Sequence, residues 1–122
     1  TLPRGRFAAP THPPKPVTTR KPMTPEAKVK KKIVAVLKEH GAYYFYPVTG
    51  GFGRSGVPDI IVCHDGRFIG IECKAGKNKP TPLQEKNLQD IEAAGGISMV
   101  INEDNIAEVK KCLGEQYGLG QS

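Results

Sequence analysis

The sequence predicts an α/β protein in which a mixed central β-sheet is flanked by helices, in the order helix, three strands, helix, strand, helix. Three observations predict it. Two runs rich in β-branched residues, Ile60 to Cys63 and Phe68 to Cys73, are joined by His64-Asp65-Gly66-Arg67, whose Asp-Gly pair suits a two-residue hairpin turn. Segments with apolar residues at helical spacing precede and follow that hairpin, each opening on Thr-Pro and closing on glycine. A last apolar run, Ile97 to Ile101, follows the second helix, and a helical connection sets it parallel to a central strand.

The elements follow in order. Residues 1 to 22 hold Arg4, Arg6, Lys15, Arg20 and Lys21 and no acid, so they carry five of the six net positive charges, and seven of the eleven prolines lie at or before residue 25. Such a segment is expected to be an extended arm, either solvated or laid along a phosphate backbone or acidic surface. Thr24-Pro25-Glu26 starts a helix that runs to about His40 and stops at Gly41. Val29, Ile33, Val36 and Leu37 form its apolar stripe, Glu26 lies on that stripe, and Lys28, Lys30, Lys31 and Lys32 fall mostly on the solvated side. Residues 42 to 48 read as a first, aromatic strand. Gly51, Gly53 and Gly56 then spell G-x-G-x-x-G, but the loop runs into another strand rather than a helix, which rejects a dinucleotide fingerprint and any nucleotide cofactor. Thr81 and Gln84 form a capping box for a second helix reaching about Ala94, and Asn102 is expected to cap a last helix through Leu113. The folded domain is thus expected over residues 23–114, with a frayed tail at 115–122.

Composition narrows the function classes. No run of eighteen apolar residues and no signal-peptide pattern is present, so an intracellular protein is expected. Cys63, Cys73 and Cys112 are odd in number and lack zinc-site spacing; they read as buried thiols packing as small hydrophobes.

The hairpin carries the chemistry. With Asp65 and Gly66 as the loop, His64 faces Arg67, and counting outward places Asp59 across from Glu72, with Cβ atoms about 4.5 to 5.5 Å apart. Glu72 and Lys74 share that face, while Cys73 points the other way with Ile60, Val62, Ile69 and Ile71. Opposed carboxylates repel unless something positive sits between them, and a divalent cation and Lys74 would both serve.

Pro58-Asp59, thirteen residues before Glu72-Cys73-Lys74, resembles the PD-(D/E)XK nuclease superfamily, and Gly56-x-Pro-Asp in so small a chain looks like its virus-type replication-repair (VRR-NUC) family. The resemblance spans roughly residues 23 to 104. It implies a restriction-endonuclease-like core, with Glu26 matching the acid on the family's first helix and Gln84 a glutamine near the metal site. It implies a metal-dependent nuclease for DNA, branched forms such as Holliday junctions and flaps included, working as a homodimer in a phage or mobile element, in the cytoplasm of a bacterium or infected host. Asp59, Glu72 and the main-chain carbonyl of Cys73 would ligate Mg²⁺ or Mn²⁺, with Glu26 binding directly or through a water, and Lys74 would orient the attacking water. Arg54 and Phe52 in the glycine loop, Lys77 and Lys79 after Lys74, and Arg20 and Lys21 in the arm are candidate DNA contacts. The rival expectations are a non-cleaving DNA-binding or virion-associated protein on the same fold, and a sequence-specific nuclease.

Overall fold

The computed structural model describes residues 22–48, 51 and 53–114. Arg20, Lys21 and Phe52, the arm up to residue 21 and the tail at 115–122 lie outside the described residues.

The expected order is observed: α1 (Pro25–Glu39), β1 (Tyr43–Phe45), β2 (Ile60–His64), β3 (Arg67–Cys73), α2 (Pro82–Ala93), β4 (Ile97–Ile101) and α3 (Ala107–Gly114). The four strands form one sheet in sequence order. β1, β2 and β3 are successively antiparallel and β4 runs parallel to β3, as a helical crossover requires. Asp65 and Gly66 both have positive φ, 54° and 76°, the primed turn whose twist matches a two-residue hairpin.

Strand alternation divides the sheet into two unlike faces. Ile60, Val62, Ile69, Ile71, Cys73 and Ile101 point to one face and pack with Val29, Ile33 and Leu37 of α1 and Val109, Cys112 and Leu113 of α3. Each fully buried aliphatic side chain there is worth about 1.5–3 kcal/mol. On the other face α2 lies over the β3–β4 side. A Cβ on Gly70 would come 2.7 Å from Ile91 Cδ1 and 3.0 Å from Pro58 Cγ, so helix and loop both rest on the glycine.

Three expectations need correction. β1 is shorter than residues 42–48, ending at the Phe45↔Ile61 pair; Pro47 has no N–H with which to extend a ladder. The last helix begins at Ala107 rather than after Asn102, because Asn102 is spent in a side-chain turn. Its Oδ1 accepts from Asp104 N at 2.8 Å, and Asn105 Oδ1 accepts from Asn102 N at 2.7 Å. Cys63 is exposed, since its face of β2 lies beyond the cover of α2; Cys73 and Cys112 are buried as expected.

Candidate active site

The hairpin register runs from His64↔Arg67 to Ile60↔Ile71, so the residues that follow, Asp59 and Glu72, meet at its open end. Asp59 lies one residue outside β2, and there its side chain takes over from the backbone: Oδ2 accepts the Cys73 N–H at 2.8 Å. The loop that delivers Asp59 is clamped by α2. Asn87, buried, donates through Nδ2 to Ser55 O at 2.9 Å and to Leu83 O at 3.0 Å, and Gly56, with φ of 75°, packs where a Cβ would lie 2.7 Å from Leu83 Cγ.

Glu72 points away from the core cluster yet is only 1% exposed. Its Oε2 lies 3.4 Å from Lys74 Nζ, and its Oε1 is buried without a hydrogen-bond partner. Burial, and then the charge of Asp59, push the Glu72 carboxyl up to about 7, with Lys74 pulling the other way and Glu26 adding a little. The Cys73 thiol is pushed up to about 12, first by burial and then by Asp59 and Glu72, and it stays a neutral part of the core.

A small cleft of about 190 Å³ opens beside these groups, lined by Thr24, Glu26, Ala27, Lys30, Asp59 and Cys73. Glu26 is therefore delivered by α1 to Asp59, on the helix cap that Thr24 makes by accepting from Ala27 N at 3.0 Å. It is exposed at the cleft mouth rather than packed into the apolar stripe. Among the described residues no three His, Cys, Asp or Glu side chains gather closely enough to hold a metal ion. A divalent cation here would rest on two carboxylates, Asp59 and Glu72, with the Cys73 carbonyl, and Glu26 across the cleft. The fit is carried by Glu72 Oε1: an unsatisfied buried carboxylate oxygen beside a second carboxylate is what a hard cation with oxygen ligands would satisfy.

This chain is similar to a phage protein named as a nuclease. The match is 29% identical over 85 residues, spanning 69% of this chain and 89% of the relative, "Putative nuclease p44" of Acyrthosiphon pisum secondary endosymbiont phage 1. No family model matches the chain.

The other expected site residues are not gathered into the cleft. Gln84 is engaged in the capping box, its Oε1 accepting from Thr81 N at 2.9 Å while Thr81 Oγ1 accepts from Gln84 N at 3.2 Å. Arg54 lies on the far face of the sheet, donating to Asp90 Oδ2 at 2.7 Å, beside a broad groove of about 610 Å³ walled by Phe45, Pro58, Ile61, Phe68 and Ile91. Lys77 and Lys79 are exposed in the loop after Lys74. Two neighbours of the cleft were missed by sequence reasoning. Lys30, expected on the solvated side of α1, lines the cleft, and its Nζ lies 4.3 Å from the centroid of the Tyr46 ring. Burial, with Tyr44 and Cys73 nearby, raises the Tyr46 phenol. The signal for Lys30 was its position four residues after Glu26, on the same side of the helix.

Proposed function

We propose that this chain is a metal-dependent DNA endonuclease of the VRR-NUC type that hydrolyses phosphodiester bonds. Branched DNA such as four-way junctions and flaps is its substrate, in phage-type replication, recombination or repair. The observation that carries this reading is the Glu72 carboxylate, buried beside Asp59 with one oxygen near Lys74 and the other unpartnered. A charge so placed is costly unless a cation takes it up. Likeness to a phage protein named as a nuclease supports the same reading.

In this mechanism Asp59, Glu72 and the Cys73 carbonyl would hold Mg²⁺, for which Mn²⁺ would substitute, and Glu26 would hold it directly or through a water. When bound, the cation relieves charge on the phosphate and acidifies the attacking water. Asp59 is oriented by the Cys73 N–H on Oδ2. Lys74, beside Glu72, orients the water and balances negative charge as it grows on the phosphoryl oxygens. No nucleotide cofactor takes part. Two copies pair through the uncovered aromatic side of β1 and β3, where Tyr43, Phe45 and Phe68 stand exposed, which suits a junction with two strands to cut. No helix among the described residues is long and apolar enough to cross a membrane, and we place the activity in the cytoplasm of a bacterium or infected host.

The test is cleavage of labelled four-way-junction, flap and linear DNA of shared sequence with Mg²⁺, Mn²⁺ or chelator, by the parent, Glu72→Ala and Lys74→Ala. Metal-dependent cutting of branched DNA that both variants lose is expected. Tight binding without cutting under every condition would leave a DNA-binding or virion-associated structural protein instead.

A further inference from the structure

We propose that Lys30 anchors a DNA phosphate in the acidic cleft and that the Tyr46 ring holds it in place to do so. The inference rests on the nuclease reading and adds to it a binding residue and a positioning residue on the helix side of the site. Four lysines stand close together on α1, at 28, 30, 31 and 32, and three of them are exposed; Lys30 alone is half-buried. It lines the cleft together with Glu26 and Asp59, yet forms no salt bridge with either or with any other acid among the described residues. Its positive end rests instead against an aromatic face, 4.3 Å from the Tyr46 centroid. A cation–π contact fixes the position of an ammonium while leaving N–H donors open for an anion.

The electrostatics give this placement a use. A phosphodiester entering the cleft meets Asp59 and Glu26, both of which repel it. Lys74 is engaged with Glu72 at 3.4 Å. Lys30 is the cation the cleft itself offers to a non-bridging phosphate oxygen, and its charge is felt as far as Cys73. Tyr46 comes from just beyond β1, on the same side of the sheet as Tyr44, whose ring lies 6.1 Å away. The end of the first strand therefore props a helix side chain over the end of the second.

The experiment compares Lys30→Gln, Lys30→Arg, Tyr46→Leu and Tyr46→Phe with Lys31→Gln, an exposed neighbour on the same helix, after equal melting temperatures confirm folding. Binding of junction and duplex DNA is measured in chelator across a NaCl series, and steady-state cleavage in Mg²⁺. Lys30→Gln is expected to raise Kd and KM roughly tenfold, the value of one charge-assisted hydrogen bond, with a smaller change in kcat. It is also expected to flatten the slope of log affinity against log salt by about 0.9, one phosphate contact. Lys30→Arg retains both values, Tyr46→Leu approaches Lys30→Gln, and Tyr46→Phe, which keeps the ring, restores what Tyr46→Leu loses. If the parent cuts DNA and Lys30→Gln behaves like Lys31→Gln, the anchor is overturned while the nuclease reading stands. If the parent binds without cutting and the slope still depends on Lys30, the nuclease reading falls and the anchor stands. A parent that neither binds nor cuts overturns both.

Discussion

The Asp59 carboxylate accepts the main-chain N–H of Cys73 at 2.8 Å, across the open end of the β2–β3 hairpin. One oxygen of Asp59 thus does structural work, and the other is left for chemistry. Asp59→Asn keeps an acceptor for the amide and is expected to melt close to the parent. Asp59→Ala leaves that N–H without a partner and is expected to cost about 1–3 kcal/mol. Both should lower kcat for DNA cleavage at least a hundredfold or so, the order seen when an electrostatic contributor is removed. Full cleavage by a folded Asp59→Asn would remove Asp59 from the site.

Glu72 gives the protein a pH dependence of a definite sign. Its carboxyl titrates at about 7 in the fold against 4.5 for the free side chain, so the folded state holds the proton more tightly than the unfolded chain does. The associated stability is complete below about pH 4.5 and is lost as pH rises through 7, on the order of 3 kcal/mol. In chelator the melting temperature of the parent is expected to fall between pH 5 and pH 8, and that of Glu72→Gln to stay nearly level. Added Mg²⁺ reverses the fall at pH 8 in the parent only. Parallel profiles for the two proteins would contradict this account.

Gln84 has a structural duty that its other expected role must share. Gln84→Glu preserves the capping box and is expected to melt near the parent, whereas Thr81→Ala removes the cap and costs about 1 kcal/mol. Cleavage by the well-folded Gln84→Glu separates the roles: unchanged activity makes the residue a cap, and a loss of tenfold or more gives it a place in the chemistry.

The clamp of α2 on the glycine loop is testable at one atom. Gly56→Ala combines a positive φ with a Cβ placed 2.7 Å from Leu83 Cγ and 3.1 Å from the Leu83 carbonyl carbon, and is expected to cost about 2–3 kcal/mol by thermal or urea unfolding. It should also lower cleavage, since Pro58 and Asp59 follow directly. Arg54→Ala breaks only an exposed pair with Asp90 and should change stability by less than about 1 kcal/mol.

What could be read from the sequence depended on how far apart the deciding residues lie. The hairpin register, and with it the meeting of Asp59 and Glu72, follows from Asp65-Gly66 and strand alternation, both local. The order of elements was legible for the same reason. The Asn102 turn was not, because Asn serves equally as a helix cap and as a turn residue, and the choice rests on Asn105 and the Val100 carbonyl. The Arg54–Asp90 pair spans 36 residues and depends on the packing of α2. Periodicity groups Lys30 with its lysine neighbours, because it sets a residue's angle on the helix but not where the sheet beneath it ends.

The turn and the two acids occupy opposite ends of the same pair of strands, with five ladder pairs or about 20 Å between them. The ladder between them acts as a ruler that carries a choice made at Asp65-Gly66 down to the place where the chemistry is proposed. Slipping one strand by a single residue would exchange Glu72 for Cys73, turning the carboxylate, and Lys74 with it, toward the core and a thiol onto the face they had occupied. A change in loop length at the turn, remote from every residue of the cleft, is thus an instruction about which atoms the cleft contains. The hairpin should tolerate substitutions at its tip far better than insertions there.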